Sequence, residues 1–119
     1  THDNATTRGW LESDATPDEK MRLFRYLGRD IPAEQLPEEL IRLAMMSVAD
    51  TVIFPMQDIL GLDGTSRMNR PGSDRGNWRW QMEKDVIDVS MTLNLAIITQ
   101  IFGRKQDGNV RDSENHNPA

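Results

Sequence analysis

The segment at residues 51–55, with the sequence TVIFP, constrains the fold of this chain more than any other stretch. Its β-branched and aromatic residues follow one another and end at a proline, which predicts a short strand buried on both faces. Such a strand needs neighbours in a sheet, and the 119 residues contain no second run of comparable quality. We therefore expect its apolar side chains to be covered by polypeptide outside this sequence.

Helical patterns precede this segment. Residues 16–19 combine an N-cap threonine, a proline at the first helical position and a glutamate that completes a capping box. They predict a helix that runs to about Leu27 and ends at Gly28. A second helix is predicted to begin at residues 36–39, where two glutamates suit the positive end of the helix dipole. Its predicted buried face is formed by Leu40, Leu43, Ala44 and Val48, with Ile41 and Met45 beside it.

A third helix is predicted from about Asp85 to Phe102, because apolar residues recur there at helical spacing and Gly103 follows as a stop. Its apolar stripe consists of Val86, Val89, Leu93, Ile97 and Ile101. Residues 106–119 are polar and turn-forming, which predicts a disordered tail.

The loop at residues 66–80 has the side chains of a sugar-binding site. Proline and glycine residues interrupt any helix or strand here, while Trp78 and Trp80 flank an arginine and Asn69 adds an amide. An indole can stack on the apolar face of a sugar, and amide and guanidinium groups suit its hydroxyl rim. The alternative is a pinned surface loop whose tryptophans plug the edge of the core.

The first ten residues are rich in hydrogen-bonding groups and poor in apolar ones. Two interpretations are open. The segment could be a frayed terminus. It could equally be the end of a buried strand, in which case His2 and Asp3 would project from the rim where a sheet presents its chemistry.

Composition excludes several classes of function. A formal net charge of -5 without a basic block argues against a nucleic-acid surface. The absence of cysteine excludes disulfides and thiolate metal sites, and two distant histidines make a zinc site improbable, so neither a metal nor a cofactor is expected. No apolar run reaches the roughly 18 residues of a membrane span, which predicts a soluble chain without a membrane partner. The composition suits the cytoplasm.

With these motifs in hand, the chain resembles the 4-α-glucanotransferases called amylomaltase or disproportionating enzyme, family 77 of the glycoside hydrolases. The resemblance rests on THDN and TTRGW within residues 1–10, on PMQDILGL at residues 55–62, and on RMN, PG and GNWRW within residues 67–80. These motifs follow the family's order and spacing over residues 1 to about 82. The last predicted helix matches only in character.

The resemblance implies a (β/α)₈ TIM barrel with a catalytic trio of two aspartates and a glutamate. It assigns His2 and Asp3 to the end of the seventh barrel strand and residues 52–54 to the eighth, so residues 1–105 would be the C-terminal part of the catalytic barrel. Viewed alone, this α/β piece would be mostly helical. The nucleophile and the acid/base would lie upstream. Many relatives carry an acid or amide where this chain has Ala5.

The roles implied by the resemblance follow the chemistry of retaining glucan transfer. Asp3 would stabilise the transition state, while His2, Asn69 and Trp78 would bind the substrate. Gln57 and Asp58 would hold the loop after the last strand. The expected partners are maltooligosaccharides or starch- and glycogen-type glucans, and the remainder of the barrel, supplied by the same parent chain or by self-association.

Two functions remain open at this stage: part of a cytoplasmic transferase that is inactive alone, or a small helical module that binds a glucan or a protein. Exposure of apolar side chains discriminates between them. An enzyme fragment should expose apolar surface at residues 52–54 and along one side of the last helix, whereas an independent module should bury both.

Overall fold

The computed structural model describes residues 3–106. Thr1, His2 and residues 107–119 lie outside the described residues, and the last of these ranges contains nearly all of the predicted tail. Contacts divide the chain into two compact units, one within Thr1–Val86 and one within Ile87–Ala119. The described residues fold mainly as helices and form no strand, in agreement with the prediction that this chain alone is mostly helical.

Five α-helices are connected by turns and loops. Two of the connections are 3₁₀ turns, Ala33–Gln35 and Gly64–Ser66, and Trp10–Asp14 forms a π-helical turn directly after the first helix. The α-helices are α1 (Thr7–Gly9), α2 (Pro17–Leu27), α3 (Leu36–Met46), α4 (Met56–Ile59) and α5 (Val89–Ile101). Residues 7–14 are therefore helical, so the interpretation of the opening segment as a frayed terminus is wrong for them.

Helix α2 has the predicted ends. The Thr16 side chain accepts a hydrogen bond from the Glu19 backbone N–H, and the Glu19 carboxylate accepts one from the Thr16 N–H at 2.8 Å. At the other end Gly28 has φ 80, a left-handed conformation that glycine adopts without steric cost. The local sequence thus determines both ends of this helix.

Helix α3 begins where predicted but buries a different face. Its buried residues are Leu36, Pro37, Ile41 and Met45, whereas the predicted Leu40, Leu43 and Ala44 are only partly covered. Val48 lies beyond the helix and is fully exposed, because α3 ends at Met46 and the Ser47 hydroxyl donates to the Ala44 carbonyl at 2.7 Å. The assignment of the buried face was therefore wrong in register.

The core of the first unit lies among the π-helical turn, α2 and the start of α3. Leu11, Ile31 and Leu36 are its buried residues, and Leu36 has no exposed surface. Partly buried residues packed against them are Trp10, Ala15, Leu23, Phe24, Leu27, Ala33 and Leu40. This small core covers one side of α2 and leaves Met21 half exposed.

The strand predicted at residues 51–55 does not form in this chain. The segment has no regular secondary structure, and Ile53 is 87% exposed. A strand requires a partner for its backbone hydrogen bonds, and no described segment pairs with it. The prediction of a strand buried on both faces is therefore wrong for the chain alone.

Helix α5 starts four positions after the predicted Asp85. Asp85 itself has a left-handed backbone with φ 65, and the Asp88 carboxylate caps the helix by accepting from the Met91 N–H at 2.7 Å. None of its residues is buried. Within the described part of the chain, no helix is long and apolar enough to cross a membrane.

Candidate functional site

The opening segment is fixed by a close approach of two glycines. The Thr6 hydroxyl accepts a hydrogen bond from the Gly9 N–H at 3.1 Å, and Thr6 is almost completely buried. A Cβ atom added to Gly9 would lie 2.6 Å from the Gly64 Cα. Only glycine therefore lets α1 pack directly against the turn Gly64–Ser66.

The Asp58 carboxylate joins α4 to α1. One oxygen accepts from the Thr7 backbone N–H at 2.9 Å and the other from the Thr7 hydroxyl at 2.7 Å. The neighbouring Gln57 side chain donates to the Ser66 carbonyl at 3.3 Å. Both contacts agree with the structural role predicted for Gln57 and Asp58.

Arg67 contacts three separate stretches of the chain with one guanidinium group. Its Nε donates to the Asn69 carbonyl at 2.9 Å, and its Nη2 donates to the Asp3 carbonyl. Its Nη1 lies 3.7 Å from a carboxylate oxygen of Asp14. The sequence favours pairing of Arg67 with carboxylates of its own loop, and this prediction is wrong, because the carboxylate it approaches belongs to Asp14 in the π-helical turn.

The structure brings together two residues predicted from sequence, Asp3 and Asn69. They lie 66 positions apart, and the Asn69 Nδ2 donates directly to the Asp3 Oδ1. Both side chains remain partly exposed, so a carboxylate and an amide are presented side by side to solvent. Such a pair can hold two neighbouring hydroxyl groups of a sugar.

Trp78 lies on the same loop as Asn69 and is 58% exposed. Its backbone has φ 60, a conformation that a bulky residue adopts only when its surroundings impose it. The Trp78 N–H donates to the Met68 carbonyl, which ties the two ends of the loop together. In this chain the indole is therefore presented to solvent and does not plug the core.

Asn77 stabilises the loop itself. Its Oδ1 accepts from the Arg70 N–H at 2.9 Å and its Nδ2 donates to the Ser73 carbonyl at 2.7 Å. Sequence alone could not distinguish this amide from Asn69, because both lie in the same loop and have the same chemistry. The contacts show that only Asn69 reaches Asp3.

A cleft of about 620 Å³ opens beside Arg67. It combines exposed apolar surface from Ile53 with polar groups from the opening segment, a mixture that suits a sugar. Ala5 is among the lining residues, so the position that departs from the family pattern faces this cleft. The lining consists of residues 4–7 and 53–55 together with Gln57, Asp58, Arg67 and Met68.

Two ionisable groups near α1 have shifted pKa values. A hydrogen bond to the Glu12 carboxylate raises the pKa of Arg8, and nearby Glu34 adds to the effect. Hydrogen bonds from the side chain and backbone of Thr65 lower the pKa of Asp63. Both residues are partly buried, and the hydrogen bonds that shift their pKa values are local to α1 and to the turn Gly64–Ser66. Within residues 3–106, no group of three potential ligand side chains could hold a metal ion.

Sequence comparison supplies independent findings on this segment. Residues 1–88 match the model of a glycoside hydrolase family described as 4-alpha-glucanotransferase. The chain is 43% identical to the 4-alpha-glucanotransferase of Synechocystis sp. over 88% of its own length and 20% of the relative. It is 49% identical to that of Aquifex aeolicus over 71% of its own length and 17% of the relative. The chain thus spans about a fifth of these proteins.

A solved structure matches as well. The amylomaltase of Streptococcus agalactiae in complex with acarbose aligns with a TM-score of 0.78 and 36% identity. The alignment covers 89% of this chain and 21% of the Streptococcus chain. The aligned part of this chain therefore corresponds to about a fifth of a much larger protein.

Proposed function

Because the chain belongs to the 4-alpha-glucanotransferase family, glycoside hydrolase family 77, we propose that it is part of an enzyme that transfers α-1,4-glucan segments between maltooligosaccharides. Its relatives are about five times longer, so the activity is proposed for the complete protein. The chain alone is expected to be inactive, because the nucleophile and the acid/base are assigned upstream.

The proposed reaction is a retaining double displacement. A carboxylate nucleophile forms a glycosyl-enzyme intermediate, and a carboxylic acid alternates as acid and base. Asp3 is proposed as the third carboxylate, which binds hydroxyls of the distorted sugar and strengthens its hold as positive charge develops at the anomeric carbon.

The observation that supports this assignment best is the hydrogen bond between Asn69 and Asp3. The residue proposed to stabilise the transition state and one proposed to bind substrate thus meet across 66 positions of sequence. Trp78, exposed on the same loop, is proposed to stack on a glucose unit. His2 is proposed as a further ligand because it precedes Asp3 in the motif, although it lies outside the described residues.

The pattern of exposure supports a fragment of a barrel rather than an independent module. Ile53 is 87% exposed, and four large apolar residues of α5 are exposed as well, as expected for surfaces that the rest of a barrel would bury. We propose that residues 1–105 close a (β/α)₈ TIM barrel, with residues 52–54 pairing as its last strand once neighbours are present.

The proposed substrates are maltooligosaccharides and starch- or glycogen-type glucans. The Streptococcus structure contains acarbose, which supports oligosaccharide binding by a protein with this segment. The proposed macromolecular partner is the remainder of the barrel, and we propose a cytoplasmic location for the complete enzyme. Nucleic acid and membrane are not proposed as partners.

The test is steady-state disproportionation of maltotriose by the complete enzyme and by its Asp3→Asn variant. The amide keeps the size of the carboxylate but loses the charge that responds to the transition state, so turnover should fall at least ~100-fold, about 2.7 kcal/mol. Asp30→Asn, at an exposed position, is the control and should retain full turnover. Near-parental turnover of Asp3→Asn would contradict the proposed role of Asp3.

A second measurement tests the proposal that this chain is only part of the enzyme. The pure 119-residue chain should release no glucose from maltotriose, since positioning groups alone cannot form a covalent intermediate. Glucose release by the chain, free of any contaminating enzyme, would show that the catalytic groups are not all upstream.

A further inference from the structure

We propose that Arg67 is a positioning residue that sets the spacing between the Asp3 carboxylate and the Asn69 amide. This inference rests on the proposed function, because it concerns the two residues assigned to substrate there. Arg67 itself is not proposed to touch the sugar.

The geometry of the guanidinium group carries the inference. Its Nε donates to the backbone carbonyl of Asn69, and its Nη2 donates to the backbone carbonyl of Asp3. Because the guanidinium is planar and rigid, its two donors fix the two carbonyls at one separation. The side chains that these backbones carry meet in the direct hydrogen bond from Asn69 Nδ2 to Asp3 Oδ1.

Burial and charge keep the guanidinium in place. The Arg67 side chain is only 16% exposed, so few alternative rotamers are open to it. Its third nitrogen faces Asp14 at 3.7 Å, and that carboxylate is 46% exposed and lies at the end of the π-helical turn. The π-helical turn therefore orients Arg67, and Arg67 orients Asp3 and Asn69, the two residues proposed to contact the sugar.

A lysine at position 67 could not replace this group. An ammonium is a compact charge on a flexible stem, and it lacks the planar fork that reaches three acceptors in fixed directions. Arg67→Lys keeps the charge and most of the apolar stem, so it isolates the loss of geometry. A misplacement of about 1 Å can reduce a rate by roughly 100-fold.

The experiment uses the complete enzyme with maltotriose as substrate. Arg67→Lys should lower kcat by roughly 10- to 100-fold and raise KM, because it disturbs the carboxylate and the amide together. Arg29→Lys is the matched control: its guanidinium is 3.1 Å from the Glu39 carboxylate, and within residues 3–106 it contacts neither Asp3 nor Asn69, so its kinetics should equal those of the parent. Thermal unfolding of both variants should match that of the parent.

A double-mutant cycle separates positioning from a general structural role. If Arg67 acts by holding Asn69 against Asp3, then Arg67→Lys should raise KM much less in an Asn69→Ala background than in the parent. Strictly additive effects on KM, or kinetics of Arg67→Lys equal to those of Arg29→Lys, would overturn the inference.

Two further outcomes are distinguishable. If the parent enzyme itself does not transfer glucan, the proposed function fails and not only the role of Arg67. If Arg67→Lys does not fold, Asp14→Asn provides the measurement, because it removes the charge that orients the guanidinium and so loosens its hold on the two carbonyls. It should lower kcat several-fold with an unchanged melt, and parental kinetics of Asp14→Asn would then overturn the inference.

Discussion

Two regions of the chain differ in how their side chains are satisfied. One is the polar region, which consists of the opening segment at residues 3–14 together with residues 56–80, and the other is helix α5. Around Asp3, Thr7 and Arg67, polar groups find partners far away in the sequence, and within residues 3–106 no buried side-chain nitrogen or oxygen lacks a hydrogen-bond partner. Helix α5 instead exposes a stripe of large apolar residues. These are Val89 at 74%, Leu93 at 55%, Ile97 at 52% and Ile101 at 61%.

This contrast indicates which regions of the chain can become ordered without further polypeptide. Hydrogen bonds are short-ranged and directional, so a few of them order the loop beside Asp3 without a large core. Hydrophobic stabilisation grows with the area removed from water, about 25 cal/mol per Å². We therefore expect helix α5 and Ile53 to need additional polypeptide, whereas the loop at residues 66–80, proposed to bind sugar, should not.

The largest effect is expected at Ile97, where one substitution should harm the complete enzyme but benefit the 119-residue chain. In the complete enzyme, Ile97→Asp should lower the free energy of unfolding by about 3 kcal/mol or more, because it would bury an unpaired charge against the rest of the barrel. In the 119-residue chain the same change should reduce self-association, since the stripe faces water there. Urea unfolding and sedimentation velocity measure the two effects.

Asn94→Asp, an exposed position on the same helix, is the control for added charge. It should leave both measurements nearly unchanged. If Ile97→Asp is as harmless as Asn94→Asp in the complete enzyme, the stripe is not a buried surface there, and the contrast between the two regions loses its explanation.

The features that sequence predicted well are determined locally. The capping box at Thr16 and Glu19 and the left-handed Gly28 follow from residues within one turn of each other. The strand at residues 51–55 and the buried face of α3 were wrong because both depend on which distant surfaces are available for packing. An apolar sequence pattern predicts that a segment will be buried, but it does not show whether the covering surface belongs to this chain.

The candidate site was predictable in part for a similar reason. Residue types and the family resemblance pointed to Asp3 and Asn69, and the structure brings them together. The role of Arg67 depends on two backbone carbonyls, which have no signature in the sequence. The different use of Asn69 and Asn77 follows from loop geometry, so it too could not be predicted from residue type.

The next prediction concerns the glycine contact that supports the polar region. Gly9→Ala should lower the free energy of unfolding of the complete enzyme by about 2–3 kcal/mol, because its Cβ would lie 2.6 Å from the Gly64 Cα. Gly64→Ala is the matched control from the other side of the same contact. Its Cβ would lie 3.6 Å from the Gly9 Cα, an ordinary distance, so little stability should be lost. Equal losses for the two variants would argue against this packing.

A smaller effect is expected at the carboxylate that joins α4 to α1. Asp58→Ala removes the acceptor of two hydrogen bonds from Thr7 and should cost about 2 kcal/mol of unfolding free energy. Thr7→Val removes only the hydroxyl and keeps the backbone N–H contact, so it should cost about 1 kcal/mol. If Thr7→Val costs as much as Asp58→Ala, the carboxylate does not act through both hydrogen bonds.

The smallest effect is expected at the cap of α2, where the polar contacts are local. Thr16→Ala removes the side chain that accepts from the Glu19 N–H at 3.2 Å and should lower the free energy of unfolding by about 1 kcal/mol. Arg22→Ala, at an exposed position of the same helix without a capping role, is the control and should stay within ~0.5 kcal/mol of the parent. A cap orders only one turn, whereas Asp58 joins segments 51 positions apart. A loss at Thr16 larger than the loss at Asp58 would mean that the polar region owes its stability to local turns and not to contacts between distant segments.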